Sequence, residues 1–472
     1  MSFCNRTGRG GHEDRNALDS EARAPDVRRH AHPRDCLSAG SACKTINEAV
    51  AKARLVLDAA TINVAAGTYT EDLELNKDGD TGLTINGAGS AASGGTIIKG
   101  ENGKPTIKTE PLNAGPTTIE NLRVVNPVGD TTSPALEFNV SPFELSNVAV
   151  EMLDPTSSQS AISGAQTTAT LDQVSVGGSW KGSALSFQGS VTITRSSFTA
   201  NAPALTLVTS EIAGGHRDLI SDSTVQSGGT ATFNINAVGV DLTIDSSLLL
   251  GGNPYGIGWV HPFQKLRDLM IDGSTIDAGA LGVRDALPVS DVFAVVSGSP
   301  GATGSVNIEG SILLESQTAI LGGAGNQLTI TCSYSDVPNQ AQASDGTTKG
   351  AINCASGVNG NVTSEPLSSL FQAPGSNYQL NPSSSAVDSV PASAISLRFG
   401  LTPSATDVTG APRVVDGNGD CVAVQDKGAF ELQGHAVACP VAAPAVVPAP
   451  KPVAGVISAL TISPGAFYAA PS

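Results

Sequence analysis

The sequence predicts an all-β chain wound as a parallel β-helix, and three observations carry that expectation. The first is composition. Of 472 residues only 15% are charged and 4% aromatic, while glycine numbers 52; so few long charged helix formers exclude a helical bundle or coiled coil. The second is an internal repeat: aliphatic anchors at Ile119, Leu145, Leu171, Ile193, Ile220, Ile244, Ile271, Ile308 and Ile330 recur at about 22 to 27 residues, with an insertion of about ten before Ile308. The third is what accompanies each anchor. Three residues on stand Leu122, Val148 and Val174, then Ser196, Ser223, Ser247, Ser274, Ser311 and Ser333; five residues on stand mostly apolar residues, from Val124 to Leu313. A further marker, Ala followed by Leu or Ile, falls at Ala135, Ala161, Ala184, Ala204 and Ala319. Each repeat thus holds two or three strands too short to hide an apolar face alone, and stacking buries it. The recurrent serine suits a tight bend. A leucine-rich repeat lacks its signature here, and a propeller blade needs about 40 residues. About ten coils fit the chain.

The elements follow in order. Residues 1–34 interleave arginines with acids around no apolar core, so they form a disordered or misassigned extension without a secretory signal. Thr45 and Glu48 make a capping box for a helix to Leu57, whose Ile46, Ala49, Val50, Ala53 and Leu57 share one face and cap the coils. Residues 35–365 then form the β-helix, with strands from about Thr61 to Thr363. Residues 366–439 close it, 440–455 are a Pro/Ala-rich semi-rigid linker, and 456–472 begin a further module.

The runs Lys44-Thr45-Ile46, Val64-Ala65-Ala66-Gly67-Thr68-Tyr69, Leu83-Thr84-Ile85-Asn86-Gly87-Ala88-Gly89 and Gly95-Thr96-Ile97-Ile98-Lys99-Gly100 resemble the entry to pectin-lyase-like right-handed parallel β-helices. Ser385-Ala386-Val387-Asp388, Asp407 to Arg413 and Asp426-Lys427-Gly428-Ala429-Phe430-Glu431 resemble the closing segment of secreted bacterial β-helix proteins called choice-of-anchor Q, with Lys427 in place of an apolar residue. The resemblance implies a right-handed solenoid and a secreted or surface-attached protein. It implies no activity.

Charge and cysteines bound the function. A net charge of −17 and an isoelectric point near 4.7 argue against nucleic acid, whose phosphates call for basic patches. No apolar stretch is long enough for a transmembrane helix. Six of the seven cysteines fall in local pairs, Cys36–Cys43, Cys332–Cys354 and Cys421–Cys439, which read as disulfides of an oxidising compartment; Cys4 is left over.

The residue after each anchor forms one outward column in which Asp245, Asp272 and Glu309 are consecutive. Stacked like charges raise at least one pKa, and paired carboxylates can bind calcium or act on a sugar. The competing reading is an exposed, solvated polar face. Asp416-Gly417-Asn418-Gly419-Asp420 has calcium-loop spacing but fails as an EF-hand at Cys421 and Lys427. Calcium is therefore the one cofactor these residues allow, and none is expected.

Enzymes of the resembled superfamily use an Asn-Thr-Asp strand, an Asp-Asp pair, a Gly-His-Gly turn and an Arg-Ile-Lys strand, or calcium-binding aspartates with an arginine base. None of the four motifs occurs. Gly214-Gly215-His216 is the nearest approach, and Arg267 or Arg284 would need a loop to bring it in. Tyr255, Trp259 and His261 make a candidate sugar platform, Asp285 and Asp291 lie in an insertion able to wall a cleft, and Asn361 heads a glycosylation triplet. The expectation is a monomeric, non-catalytic, secreted or cell-surface protein in adhesion or in binding polysaccharide or cell-wall glycan. The alternative is a polysaccharide lyase or glycoside hydrolase working at the carboxylate column.

Overall fold

A computed structural model describes Cys36 and residues 42–434, apart from short stretches at 56–59, 76–81, 102, 111–114, 209–216, 229–230, 232, 252–254, 262–266, 278–291, 299–302, 315–318, 323–326, 339–340, 344–351, 364 and 395–400. The chain is a parallel β-helix, as the repeat requires. Each coil contributes a strand to three parallel ladders. On the first ladder the anchors pair in register from Ile62 and Ile85 through Ile119, Leu145, Leu171 and Ile193. The stack continues through Ile220, Ile244, Ile271 and Ile308. Nearly all are fully buried. The Ala-Leu/Ile marker lies on the third ladder, where Leu136, Ile162, Leu185 and Leu205 stack and Ile235 and Ile257 extend the column.

Three details differ from the expectation. The coil count departs slightly from ten. The rung after Ile308 is Cys332, not Ile330, which instead pairs with Val306, so the last repeat is shifted by two residues. Its bend serine is accordingly Ser335 rather than Ser333. The capping helix spans Ile46–Ala53 and stops short of Leu57, which lies outside the described residues. Its N-cap Thr45 accepts the Glu48 N–H at 3.1 Å. The Glu71 carboxylate takes the Ile46 and Asn47 N–H groups at 2.8 and 2.9 Å, filling donors every helix start leaves open. Ile46 and Val50 seal the first coils.

The bend after the first ladder explains the serine repeat. From Ile119 onward the residue two past each anchor adopts the left-handed conformation, from Asn121 (φ 56°) and Asn147 (φ 51°) to Asp222 (φ 50°) and Ser246 (φ 49°). The next residue turns inward. There each serine hydroxyl accepts the N–H of its equivalent one coil before: Ser196 N–H to Ser223 Oγ at 3.0 Å, Ser223 to Ser247 at 3.1 Å, Ser247 to Ser274 at 3.0 Å, Ser274 to Ser311 at 3.1 Å and Ser311 to Ser335 at 3.1 Å. Each hydroxyl then donates to a carbonyl of its own turn, as Ser247 does to Asp245 O at 2.7 Å. Smallness is only part of the requirement; a buried N–H at every bend needs an acceptor. Asn361 ends the ladder by accepting the Ser335 N–H at 3.2 Å. In the earliest coils the column is aliphatic, Leu122, Val148 and Val174, and buried.

Past Thr363 the chain leaves the solenoid. A short helix, Leu367–Leu370, leads to the antiparallel pair Phe371–Ala373 and Asn377–Leu380, and a second pair joins Val414–Val415 to Val424–Gln425. This closing segment returns along the outside of the coils. It builds a second apolar cluster in which Leu370, Phe371, Tyr378, Leu380, Ala386 and Ala429 cover the outward-facing Leu248 and Ile312.

Candidate functional site

Residues one past the anchors point out of the first ladder. The column runs Asn86, Glu120, Ser146, Asp172, Thr194, Ser221, Asp245, Asp272, Glu309 and Ser333, each paired with the next. Asp245, Asp272 and Glu309 thus stand on consecutive rungs, about 4.8 Å apart along the stack, as the repeat predicts. Their surroundings do not match the expected open, solvated face. The closing segment lies across them, and Asp245 and Asp272 are 2% and 1% exposed. Ser404 gives its N–H to Asp245 Oδ2 at 2.8 Å and its hydroxyl to the Asp222 carboxylate at 2.7 and 2.8 Å.

Arg413 enters the same layer, although no basic residue is in register with the column. It is 1% exposed and donates to Gly273 O at 3.1 Å and Asp426 O at 3.4 Å. With its amide turned to suit, Gln425 accepts from Arg413 Nε at 2.8 Å. The approach needs glycine: a Cβ on Gly273, at φ +50°, would sit 2.3 Å from Arg413 Nη2.

Burial dominates the electrostatics. Both Asp272 oxygens lack a hydrogen-bond partner among the described residues. Burial pushes its carboxyl up to about 8; the Asp245 charge adds to that and Arg413 opposes it. Burial also raises Asp245, against the Ser404 N–H, the Ser246 hydroxyl and Arg413. It takes Asp222 and Asp426 to about 6, and burial followed by the Asp426 charge takes Glu431 to about 9. A raised acid beside a second carboxylate is what glycoside hydrolysis uses. Here a protein segment covers both groups.

The other candidates resolve one by one. In the Asp416–Asp420 loop, Asp416 Oδ1 accepts the Gly419 N–H at 2.7 Å, and Oδ2 accepts the Cys421 N–H at 2.8 Å. Asn418 Oδ1 accepts the Asp420 N–H at 2.8 Å, and Asp420 Oδ1 the Val422 N–H at 2.8 Å. The side chains organise a turn by capping its own amides. Among the described residues no three His, Cys, Asp or Glu converge as a metal set.

Trp259 does not belong to a sugar platform. It is fully buried, with Nε1 donating to Val240 O at 3.0 Å, because its rung position points inward beside Ala237. Asn361 is buried and committed to Ser335 N and Cys332 O, which removes it as a glycan acceptor in the folded chain. The side chains of Tyr255, His261 and Arg267, and residues His216, Arg284, Asp285 and Asp291, lie outside the described residues. Disulfides Cys36–Cys43 and Cys332–Cys354 are present, the second joining adjacent rungs. Cys421 is disulfide-bonded, while its expected partner Cys439 lies outside the described residues.

The same face is uncovered nearer the N-terminus. There Thr84, Thr118, Glu144, Thr170 and Thr192 stack in one column beside Asn86 to Thr194 in the next. All are at least partly exposed. Asn86, Asn121 and Asn147 hydrogen-bond rung to rung at 3.0 and 2.9 Å. Asp172 accepts from Arg195 and from the Thr194 hydroxyl; although burial raises its carboxyl, these bonds hold it below the usual range.

Two sequence signals mark the covered half. Outward positions of the second ladder change from Thr224 and Gln226 to Leu248 and Leu250, return to polar at Thr275 and Asp277, and are apolar again at Ile312 and Leu314; the two apolar rungs are two-sided and require cover. The left-handed bend position changes from side-chain-bearing residues to Gly273 and Gly310 where the segment crosses.

No family model matches the chain, and no curated protein matches it. Among solved structures it is similar to the catalytic domain of a GH87 alpha-1,3-glucanase in complex with tetrasaccharides, at 12% identity over 68% of this chain and 68% of that one, with a TM-score of 0.41. It is also similar to bacteriophage CBA120 tailspike protein 3, at 11% identity over 67% of this chain and 58% of that one, with a TM-score of 0.23.

Proposed function

We propose that this is a secreted or cell-surface β-helix protein of the pectin-lyase-like type, with a choice-of-anchor Q closing segment, that binds polysaccharide as a monomer without catalysis of its own. One observation carries the reading: the adjacent carboxylates suited to sugar chemistry lie beneath the closing segment, whereas the Thr, Asn, Ser and acidic columns from Thr84 to Thr194 are open. Hydroxyls and amides repeating along a flat face can bond a glycan weakly at many points without a pKa-split pair. Disulfides within local loops favour an oxidising compartment.

The test incubates the protein with pectate, alginate, chondroitin and xylan, with and without calcium. Affinity electrophoresis and assays for unsaturated or reducing ends are read in parallel. Retardation by at least one glycan, weakened in Thr118→Ala/Thr170→Ala, with no new ends, is expected. Turnover abolished by Asp272→Asn would install the lyase or hydrolase reading instead, and absence of retardation by all four would overturn binding at this face.

A further inference from the structure

The closing segment and the acidic rungs beneath it form an interface with an unusual charge inventory. From the solenoid come Asp222, Asp245, Asp272 and Glu309. From the segment come Asp426 and Glu431, with Asp388 facing Asp426 and the buried Asp407 accepting the Glu431 N–H at 3.0 Å. Arg413 is the cation that acts on Asp222, Asp245, Asp272, Asp426 and Glu431; Arg195 lies at the edge near Asp222, bound to Asp172. The polar groups against them are the Ser221, Ser246 and Ser404 hydroxyls, the Ser404 amide and the amides of Asp388 and Leu432. Lys427, the other cation buried in the segment, faces Asp336 and Glu365 and is itself lowered by burial, so among these described residues one guanidinium serves Asp222, Asp245, Asp272, Asp426 and Glu431. Ionising them together in this layer would set like charges against one another at low dielectric.

The segment is also mechanically separable. Its strands pair with each other and, at Gln425, with Val390 of the same closing segment, but not with any rung of the three ladders. Beyond the second apolar cluster it is tied to the coils by a few bonds among the described residues: Ser404 to Asp222 and Asp245, Arg413 to Gly273 O, Lys427 Nζ to Gly360 O at 3.5 Å, Gly428 N–H to Gly310 O at 2.7 Å, Ala429 N–H to Thr275 Oγ1 at 2.9 Å, and Tyr378 to Asp277. Removing them leaves every ladder bond and the serine ladder intact.

We propose that residues 404–431 are a pH-responsive strap, which lies on the solenoid while the carboxyl groups beneath it carry protons and lifts when they ionise, exposing the rungs from Asp222 to Glu309. The direction follows from proton counting. The docked form holds protons at Asp272 and its neighbours that an undocked, hydrated form releases at the ordinary carboxylate pKa. Docking is strongest in acid and weakens as pH rises toward the Asp272 value of about 8. The lifted strap exposes a row of acids one rung apart, a surface for cations or basic partners that the docked form denies.

Hydrogen exchange on the full chain tests this, with rates corrected for intrinsic pH dependence. Amides of 404–431 should lose protection by about tenfold or more between pH 5 and pH 9, while the amides of Ser223 and Ser247 keep theirs. In Asp272→Asn, whose carboxamide cannot ionise, the loss should shrink by about tenfold or more; Asp222→Asn serves the same comparison if that variant does not fold. Gly273→Asn, which suits the left-handed backbone but collides with Arg413, should leave the strap exchanging fast at every pH. Strap protection independent of pH, solenoid amides losing protection in parallel, or an unchanged fall in the carboxamide variants would each overturn the proposal.

Discussion

Replacing Ser247 by Ala isolates what the serine ladder contributes. Ser247 is fully buried; its hydroxyl accepts the Ser223 N–H at 3.1 Å and donates to Asp245 O at 2.7 Å. The two losses are unequal. Asp245 O still accepts the Asp222 N–H at 3.1 Å, so it keeps a partner. The Ser223 N–H has no other acceptor in the bend and becomes an unsatisfied buried donor. That costs about 1–3 kcal/mol, and the missing oxygen leaves too small a void to add much. In a solenoid each coil couples mainly to its neighbours, so the effect should be local. Urea denaturation should show about 2 kcal/mol of destabilisation, and amide exchange should show Ser223 as the position losing most protection. Unchanged stability together with an unchanged Ser223 exchange rate would refute the claim that serine recurs here as an acceptor rather than as a small residue.

Ile244→Asp places a carboxyl in a stack where Ile220, Ile244 and Ile271 are all fully buried; a loss above about 4 kcal/mol, seen as insoluble or unfolded protein by circular dichroism, is expected. Global stability should fall with rising pH. Between pH 4 and 8 the native chain keeps the Asp272 proton that the unfolded chain has released, so this group is neutral in its effect below pH 4 and costs on the order of 5 kcal/mol above pH 8. Thermal melts at pH 5 and pH 8.5 read that slope, and a flat or rising profile in the unaltered chain, or a fall that persists undiminished in Asp272→Asn, would contradict it. Cys332–Cys354 closes a separation of 22 residues, so its removal by Cys354→Ala should cost about 3 kcal/mol in the chain-entropy account. A thiol count on unreduced protein should find no more than one free cysteine; three or more would refute the pairing.

The fold was legible because a solenoid repeats its physics. One inward aliphatic per coil, a left-handed bend and a serine after it recur often enough that Ile193, Ile220, Ile244 and Ile271 announce their own stacking. Legibility fails where the repeat is degenerate. Ile330 and Cys332 alternate on the same strand, both face inward, and only the pairing with Ile308 decides which is the rung. Trp259 is the same difficulty in reverse: an aromatic in an apparently loop-like run is in fact one more inward position, next to Val238 and Ala237 on the adjacent coil.

The carboxylate column was correctly placed and wrongly exposed, for a reason internal to repeat reading. Periodicity assigns a residue to the outside of its own coil but is silent about what another part of the chain lays over that outside. The signs of a cover are nonperiodic: Leu248, Ile312, Gly273 and Gly310 break the column habits where Arg413, Val390, Ala429 and Phe371 come to rest.

Once the cover is recognised, acidity and burial on these rungs become a single feature. A solvated face could hold Asp245 and Asp272 ionised at small cost, but a covered one must keep protons on them or bring a cation. The chain does both, with Arg413 in the layer and Asp272 raised to about 8. The same cover moves any glycan contact toward the N-terminal half, where Thr118, Glu144 and Thr170 meet water and where the one acid of the column bound to arginine, Asp172, stays charged. Position along the solenoid, more than residue type, therefore separates the acids that organise the strap from those able to meet a ligand.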